Sequence, residues 1–201
     1  MSLPTEYFQR MYADSADPWG FRTRWYERRK RDLTLASLTR PRYARAFEPG
    51  CSVGALTALL AGRCDALVAS DVSESAVAAA AAAVGDAEHV EVRRMRVPHE
   101  WPDGSFDLVV LSEVGYYLDP GDLDDLAHRA VASLDEGGAL LACHWRHPVA
   151  DYPTTGDVVH DVLRARPALV PAVAHVEEDF RLDMWTKGPT ASVARCEGLV
   201  G

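Results

Sequence analysis

The chain has 201 residues, 48% of them hydrophobic, a formal charge of −9 and four cysteines. That length suits one domain with a proper core, and the negative balance argues against nonspecific nucleic-acid binding, which draws its affinity from neutralised phosphates. Cys51, Cys64, Cys143 and Cys196 form no Cys-x-x-Cys pair, so neither a zinc knuckle nor a disulfide framework is expected, and no metal site.

The first ten residues lack a basic end followed by an apolar run, so no secretory signal is read. The Ala-rich stretch 76–84 is far too short to cross a bilayer. The expectation is a cytoplasmic protein with no membrane partner.

Residues 3–13 and 24–39 read as two helices around a turn-rich loop, Asp14 to Gly20, whose Asp-Pro and Gly punctuate it. They form a helical cap, 1–43, on an α/β core, 44–201, within a single domain. Arg22, Arg24, Arg28, Arg29, Lys30, Arg31, Arg40, Arg42 and Arg45 crowd one region whose only acids are Glu27 and Asp32. A solvated helix face explains such a run; alternatively, one or two of these bases reach a ligand carboxylate.

From 45 onward strand and helix alternate: strand 45–49, helix 53–62, strand 66–70, helix 73–84 capped by Ser73, strand 89–95, strand 106–111, helix 122–134, strand 138–144, and a helix near 157–165. Such alternation predicts a mostly parallel sheet covered on both faces. The segments 175–185 and 190–197, separated by Lys187-Gly188-Pro189, read as an antiparallel hairpin.

The stretch from Glu48 to Gly54, Glu-Pro-Gly-Cys-Ser-Val-Gly, turns the first strand into a helix, and the second strand ends at Asp71. Gly50 and Gly54 let backbone approach a ligand, helix-start N–H groups face it, and Asp71 is placed for ribose hydroxyls. The dinucleotide spacing needs glycines where Ser52 and Ala55 stand, so NAD is the weaker reading. Gly50-Cys-Ser52-Val-Gly54 also spells the nucleophile elbow of a serine hydrolase. Too little chain precedes Ser52 to build the central strand and oxyanion loop of that fold.

Glu-x-Gly-x-Ser-x-Gly resembles motif I of class I S-adenosylmethionine-dependent methyltransferases, with Ser52 replacing the middle glycine. The element order resembles their plan too: a Rossmann-like seven-stranded sheet, helices on both faces and a C-terminal antiparallel hairpin. Further blocks narrow the resemblance: Asp17-Pro18-Trp19, Trp25-Tyr26-Glu27, Ser112-Glu113-Val114 with Tyr116-Tyr117, His144-Trp145-Arg146-His147-Pro148, and Asp151-Tyr152 with Thr155-Gly156-Asp157. Together they look like the nodulation protein S family, N-methyltransferases acting on the free amine of a deacetylated chitooligosaccharide.

That resemblance implies S-adenosylmethionine as donor and S-adenosylhomocysteine as product. Asp71 would bind the ribose, Met95 and Arg96 the adenine edge, Ser112 the methionine portion, and Trp19 with Arg24, Arg29 or Lys30 would close over the donor. Glu48, Gly50, Cys51, Ser52, Gly54, Val72, Val97, Glu113, Val114 and Tyr117 complete the donor set. Tyr116, Tyr117, His144, Trp145, Arg146, His147, Asp151 and Tyr152 would face a small acceptor, an amine-bearing sugar. Glu113 and His144 are expected as the catalytic pair, since a carboxylate or imidazole can take the amine's proton. A methyltransferase fold that binds ligand without turnover is the alternative from a different class.

Overall fold

A computed structural model describes residues 1–200. Helices α1 (Thr5–Asp14) and α2 (Trp25–Ser37) precede the core. The core follows as β1 (Tyr43–Pro49), α3 (Thr57–Ala61), β2 (Cys64–Asp71), α4 (Glu74–Val84), β3 (Val90–Arg94), β4 (Phe106–Ser112), a 3-10 turn (Gly115–Tyr117), α5 (Pro120–Ser133), β5 (Leu134–Trp145), α6 (Gly156–Arg164), β6 (Leu169–Val176), β7 (Phe180–Lys187) and α7 (Val193–Cys196). The seven strands form one sheet ordered β3-β2-β1-β4-β5-β7-β6. All pairings are parallel except those of β7 with β5 and β6, as the resemblance implied.

Period-two alternation divides the core between the two faces. On β4, Val109 and Leu111 pack with Leu123 and Leu126 of α5, whereas Leu108 and Val110 pack with Leu56 and Leu60 around α3. The central strands are therefore buried on both sides, as parallel strands require. Caps set the helix starts: Ser73 accepts from the Ala76 N–H, and Asp119 accepts from the Gly121 and Asp122 N–H groups one residue before Pro120.

Three expectations change. The hairpin pairs β6 with β7, 169–176 against 180–187, and residues 190–197 hold only the four-residue α7. Its turn, Glu177-Glu178-Asp179, carries no Gly or Pro to signal it, and β6 is an edge strand with exposed residues and Pro171. Helix α3 starts at Thr57 rather than 53, because the preceding residues are spent on the loop. Helix α2 turns Glu27, Lys30 and Thr34 inward, so the basic run is not wholly a solvated face.

Gly54 explains how tightly that loop docks. Its φ is +73°, and a Cβ there would lie 2.6 Å from Ala80 Cα, a backbone atom of α4 that cannot yield. Gly54→Ala should cost about 2–3 kcal/mol, seen as a lower urea midpoint. An unchanged midpoint would show that α3 and α4 are not locked together there.

Candidate active site

A cavity opens at the carboxyl ends of the parallel strands, where the strand order reverses between β1 and β4. Ligands of open α/β sheets bind at such a switch point. Glu48, Gly50, Cys51 and Ser52 line it from β1, Asp71 and Val72 from β2, Met95, Arg96 and Val97 from β3, and Ser112, Glu113, Val114 and Tyr117 from β4. The N-terminal cap closes it with Leu3, Phe8, Tyr12, Trp19, Lys30 and Arg31.

The loop after β1 owes its shape to backbone geometry. Gly50 has φ +74°, and a Cβ there would crowd Val114 at 3.1 Å. Ser52 sits at φ 50°, a left-handed conformation that glycine adopts most readily. Its N–H donates to Asp71 Oδ2 at 3.0 Å and its Oγ meets the Tyr12 hydroxyl at 2.5 Å. Asp71 Oδ1 accepts from the Ser73 N–H at 2.9 Å, so one carboxylate ties the loops that follow β1 and β2. Burial pushes the Asp71 carboxyl upward and these N–H bonds pull against it. A carboxylate has lone pairs for further bonds beyond these two.

Glu48 is 2% exposed, and its Oε2 has no hydrogen-bond partner. Burial, reinforced by the Asp71 charge, pushes its carboxyl up to about 8. A folded-state value above the unfolded one means that Glu48 favours the fold at pH below about 4.5 and loses that contribution as pH rises through about 8. Glu48→Gln should therefore flatten the loss of thermal stability between these limits, by about 2–4 kcal/mol at pH 8.5. Parallel melting curves for both proteins would refute a buried protonated Glu48.

The basic residues sort differently from expectation. Arg29 is half-exposed and forks onto Glu177 at 2.6 and 2.8 Å, outside the cavity. Arg24 is exposed. Lys30 lines the cavity, but its ammonium is paired with Glu27 at 3.1 Å and Glu113 at 2.5 Å. Burial works to lower its pKa, yet the charges of Glu113 and Glu27 hold it above the usual range. Arg31, a member of the basic run but not one of the bases the resemblance placed over the donor, lines the cavity with Nη1 on the Phe21 carbonyl and a buried Nε without a partner. Only its place on the inward face of α2 distinguishes it from its neighbours.

Glu113 holds φ +57°. Its Oε1 accepts from Lys30, and its Oε2 from the Tyr116 hydroxyl and, at 3.1 Å, the Trp145 N–H. His144 departs from the acceptor-facing position expected of it. It is fully buried, its Nε2 bonded to the Gly115 N–H and its Nδ1 to His160, because β5 points it beneath the turn after β4. The rest of its block also lies outside the cavity lining. Trp145 packs on Tyr26 and His147, Arg146 pairs with Asp157, and exposed His147 meets Asp179 at 2.7 Å. Asp151 is exposed; Tyr152 stacks on Tyr116 and meets the Tyr117 hydroxyl at 3.4 Å. Of the acceptor-facing set, Tyr117 alone is a cavity residue. Gly54 belongs to the α4 contact, and Ser52 Oγ meets a tyrosine rather than the histidine a hydrolase nucleophile needs.

The profile of nodulation protein S matches residues 6–142, more than half of the chain. The chain belongs to the nodulation protein S family. The nodulation protein S of Sinorhizobium fredii is 28% identical over 87% of the chain and 85% of its own length. The crystal structure of N-methyltransferase NodS from Bradyrhizobium japonicum WM9, in complex with S-adenosyl-L-homocysteine, superposes with a TM-score of 0.83 at 24% identity, covering 92% of this chain and 98% of its own. A Pseudomonas syringae protein of known structure is 49% identical, with a TM-score of 0.73 over 81% of this chain and 99% of its own. The fold of this NodS-family chain is thus the class I methyltransferase fold. Among the described residues, no cluster of His, Cys, Asp and Glu could hold a metal ion, and no helix is long and apolar enough to cross a membrane.

Proposed function

We propose that this NodS-family methyltransferase passes a methyl group from S-adenosylmethionine to the free amine of a small acceptor, an amino sugar or amino oligosaccharide in the preferred form. The donor fits the residues present. Gly50 leaves room where a Cβ would intrude, and the buried orphan atoms Glu48 Oε2 and Arg31 Nε lie on residues that line the cavity. Arg31 would meet the donor's carboxylate, Asp71 the ribose hydroxyls, Met95 to Val97 the adenine edge, and Glu48 the donor's ammonium, giving up as that cation arrives the proton that burial favours in the ligand-free protein. The donor, when bound, supplies an electrophilic methyl on a sulfonium.

The residues of the chain then have to align the reactants and exclude water. Amine as acceptor rests on one observation: Glu27 and Glu113 share a single buried ammonium, Lys30, in the cavity that holds the donor loop. Two carboxylates against one cation leave one net negative charge, which suits an ammonium arriving from water better than a hydroxyl. Glu113 carries three hydrogen bonds on about four lone-pair sites. One site remains to orient the amine and take its proton, while His144, with both nitrogens engaged, acts through the loop it holds.

Transfer of labelled methyl to glucosamine and deacetylated chitooligosaccharides, with N-acetylated and hydroxyl-only analogues alongside, tests the reading. Label on the free amines alone is expected. Calorimetric binding of S-adenosylhomocysteine with no transfer to any amine would instead favour a binding protein without turnover.

A further inference from the structure

We infer that His160 and Asp183, which are remote from the cavity lining, are positioning residues: they fix the tautomer of His144, so that its Nε2 accepts the Gly115 amide proton and anchors the loop that carries Glu113, Val114 and Tyr117. Four elements meet in this chain of contacts. Asp183 Oδ2 on β7 lies 2.7 Å from His160 Nδ1 on α6, His160 Nε2 lies 3.1 Å from His144 Nδ1 on β5, and His144 Nε2 lies 3.2 Å from the Gly115 nitrogen at the start of the 3-10 turn. Both imidazoles are fully buried and Asp183 is 3% exposed.

The proton positions follow from the two ends. A backbone N–H can only donate, so His144 Nε2 is the bare nitrogen and its proton sits on Nδ1. His160 Nε2 must accept that proton's hydrogen bond, which places the His160 proton on Nδ1, facing a carboxylate that can only accept. Arg181, whose Nε donates to the same Asp183 oxygen at 2.7 Å, keeps that carboxylate ionised. Burial holds both imidazoles neutral, at His160 against the opposing pull of Asp183, and the Lys30 charge also acts against protonation of His144.

What the chain secures is otherwise unstable. Glu113 is a non-glycine residue in the left-handed region, a conformation that costs about 1–3 kcal/mol and needs its surroundings to impose it. Gly115 is pinned against α6, where a Cβ would lie 2.6 Å from Val159. Fixed there, the turn aims the Tyr116 hydroxyl at Glu113 and presents the Tyr117 carbonyl to the Leu3 N–H of the cap at 2.9 Å. Losing the tautomer would set N–H against N–H at Gly115 and release the loop from below.

The kinetic arm of the test rests on the methyl-transfer reading; the spectroscopic arm does not. Long-range nitrogen–proton NMR of the ligand-free protein should show His144 protonated on Nδ1 and bare at Nε2. His160→Leu removes the acceptor and should lower kcat about tenfold or more, leave the donor's Kd within about threefold, and raise amide hydrogen exchange at Gly115 to Tyr117. His160→Gln, whose amide can both accept and donate, should recover kcat to within about threefold and restore the exchange protection. A His144 protonated on Nε2 overturns the proposal, as does a folded His160→Leu protein with wild-type exchange at the turn. Should His160→Leu fail to fold, the Gln variant decides: Nδ1 tautomer kept but turn protection lost overturns it too. Wild-type protein with the Nδ1 tautomer and no methyl transfer to amines would count against the amine acceptor alone.

Discussion

Asp71→Ala is expected to weaken binding of S-adenosylhomocysteine by about 10²–10⁴-fold. Hydrogen bonds to a charged acceptor contribute about 1.5–3 kcal/mol each, and loss of two, one per ribose hydroxyl, amounts to about two to four factors of ten at about 1.4 kcal/mol each. The same substitution strips the Ser52 and Ser73 N–H groups of their common acceptor, which should lower stability by about 2 kcal/mol. Calorimetry separates the two effects when performed well below the melting temperature. A folded Asp71→Ala protein that binds within about threefold of wild type would remove the ribose from Asp71, and with it the placement of the donor.

Lys30→Met should destabilise the fold by about 3–5 kcal/mol, because it leaves Glu27 and Glu113 buried against each other without the cation between them. The methionine chain occupies the lysine stem, so little of the loss is a packing effect. The pH dependence gives the cause away. Burial already raises the Glu27 carboxyl above its ordinary value despite Lys30, and removing the ammonium raises buried carboxylates further. Groups with raised folded-state values contribute stability at low pH and lose it as pH rises through those values. Urea midpoints of wild type and Lys30→Met should thus converge near pH 5 and part near pH 8. A difference below about 1 kcal/mol at both pH values would mean that the three-residue cluster carries no structural charge pair.

Much of this was open to a reader of the chain. The turn from Glu48 to Gly54 and the acid at 71 disclosed one wall of the cavity, because steric access and a carboxylate at a strand end are properties of local sequence. Val72, Met95, Arg96, Val97, Ser112 and Val114, which the family resemblance implied, line the same cavity. The block His144 to Pro148 misled for the opposite reason. Its residue types suit catalysis, but strand alternation and the crossing of α6 decide which way each side chain points, and His144 was turned inward onto His160.

The basic stretch on α2 shows the same division. Helical spacing alone gives Arg29, Lys30 and Arg31 similar claims on a ligand. Packing on β5 and β7 sends Arg29 to Glu177, places Lys30 between two acids, and leaves the Arg31 Nε without a partner. The sequence by itself therefore determined the doubly covered sheet, the glycine-bearing loop after the first strand and the family, all of which depend on near-neighbour spacing. Tertiary structure alone decided which charges face the cavity, where the C-terminal hairpin turns and how two histidines share one proton order. These features depend on partners far apart in the chain, with 83 positions between Lys30 and Glu113 and 23 between His160 and Asp183, and no local pattern encodes such pairings.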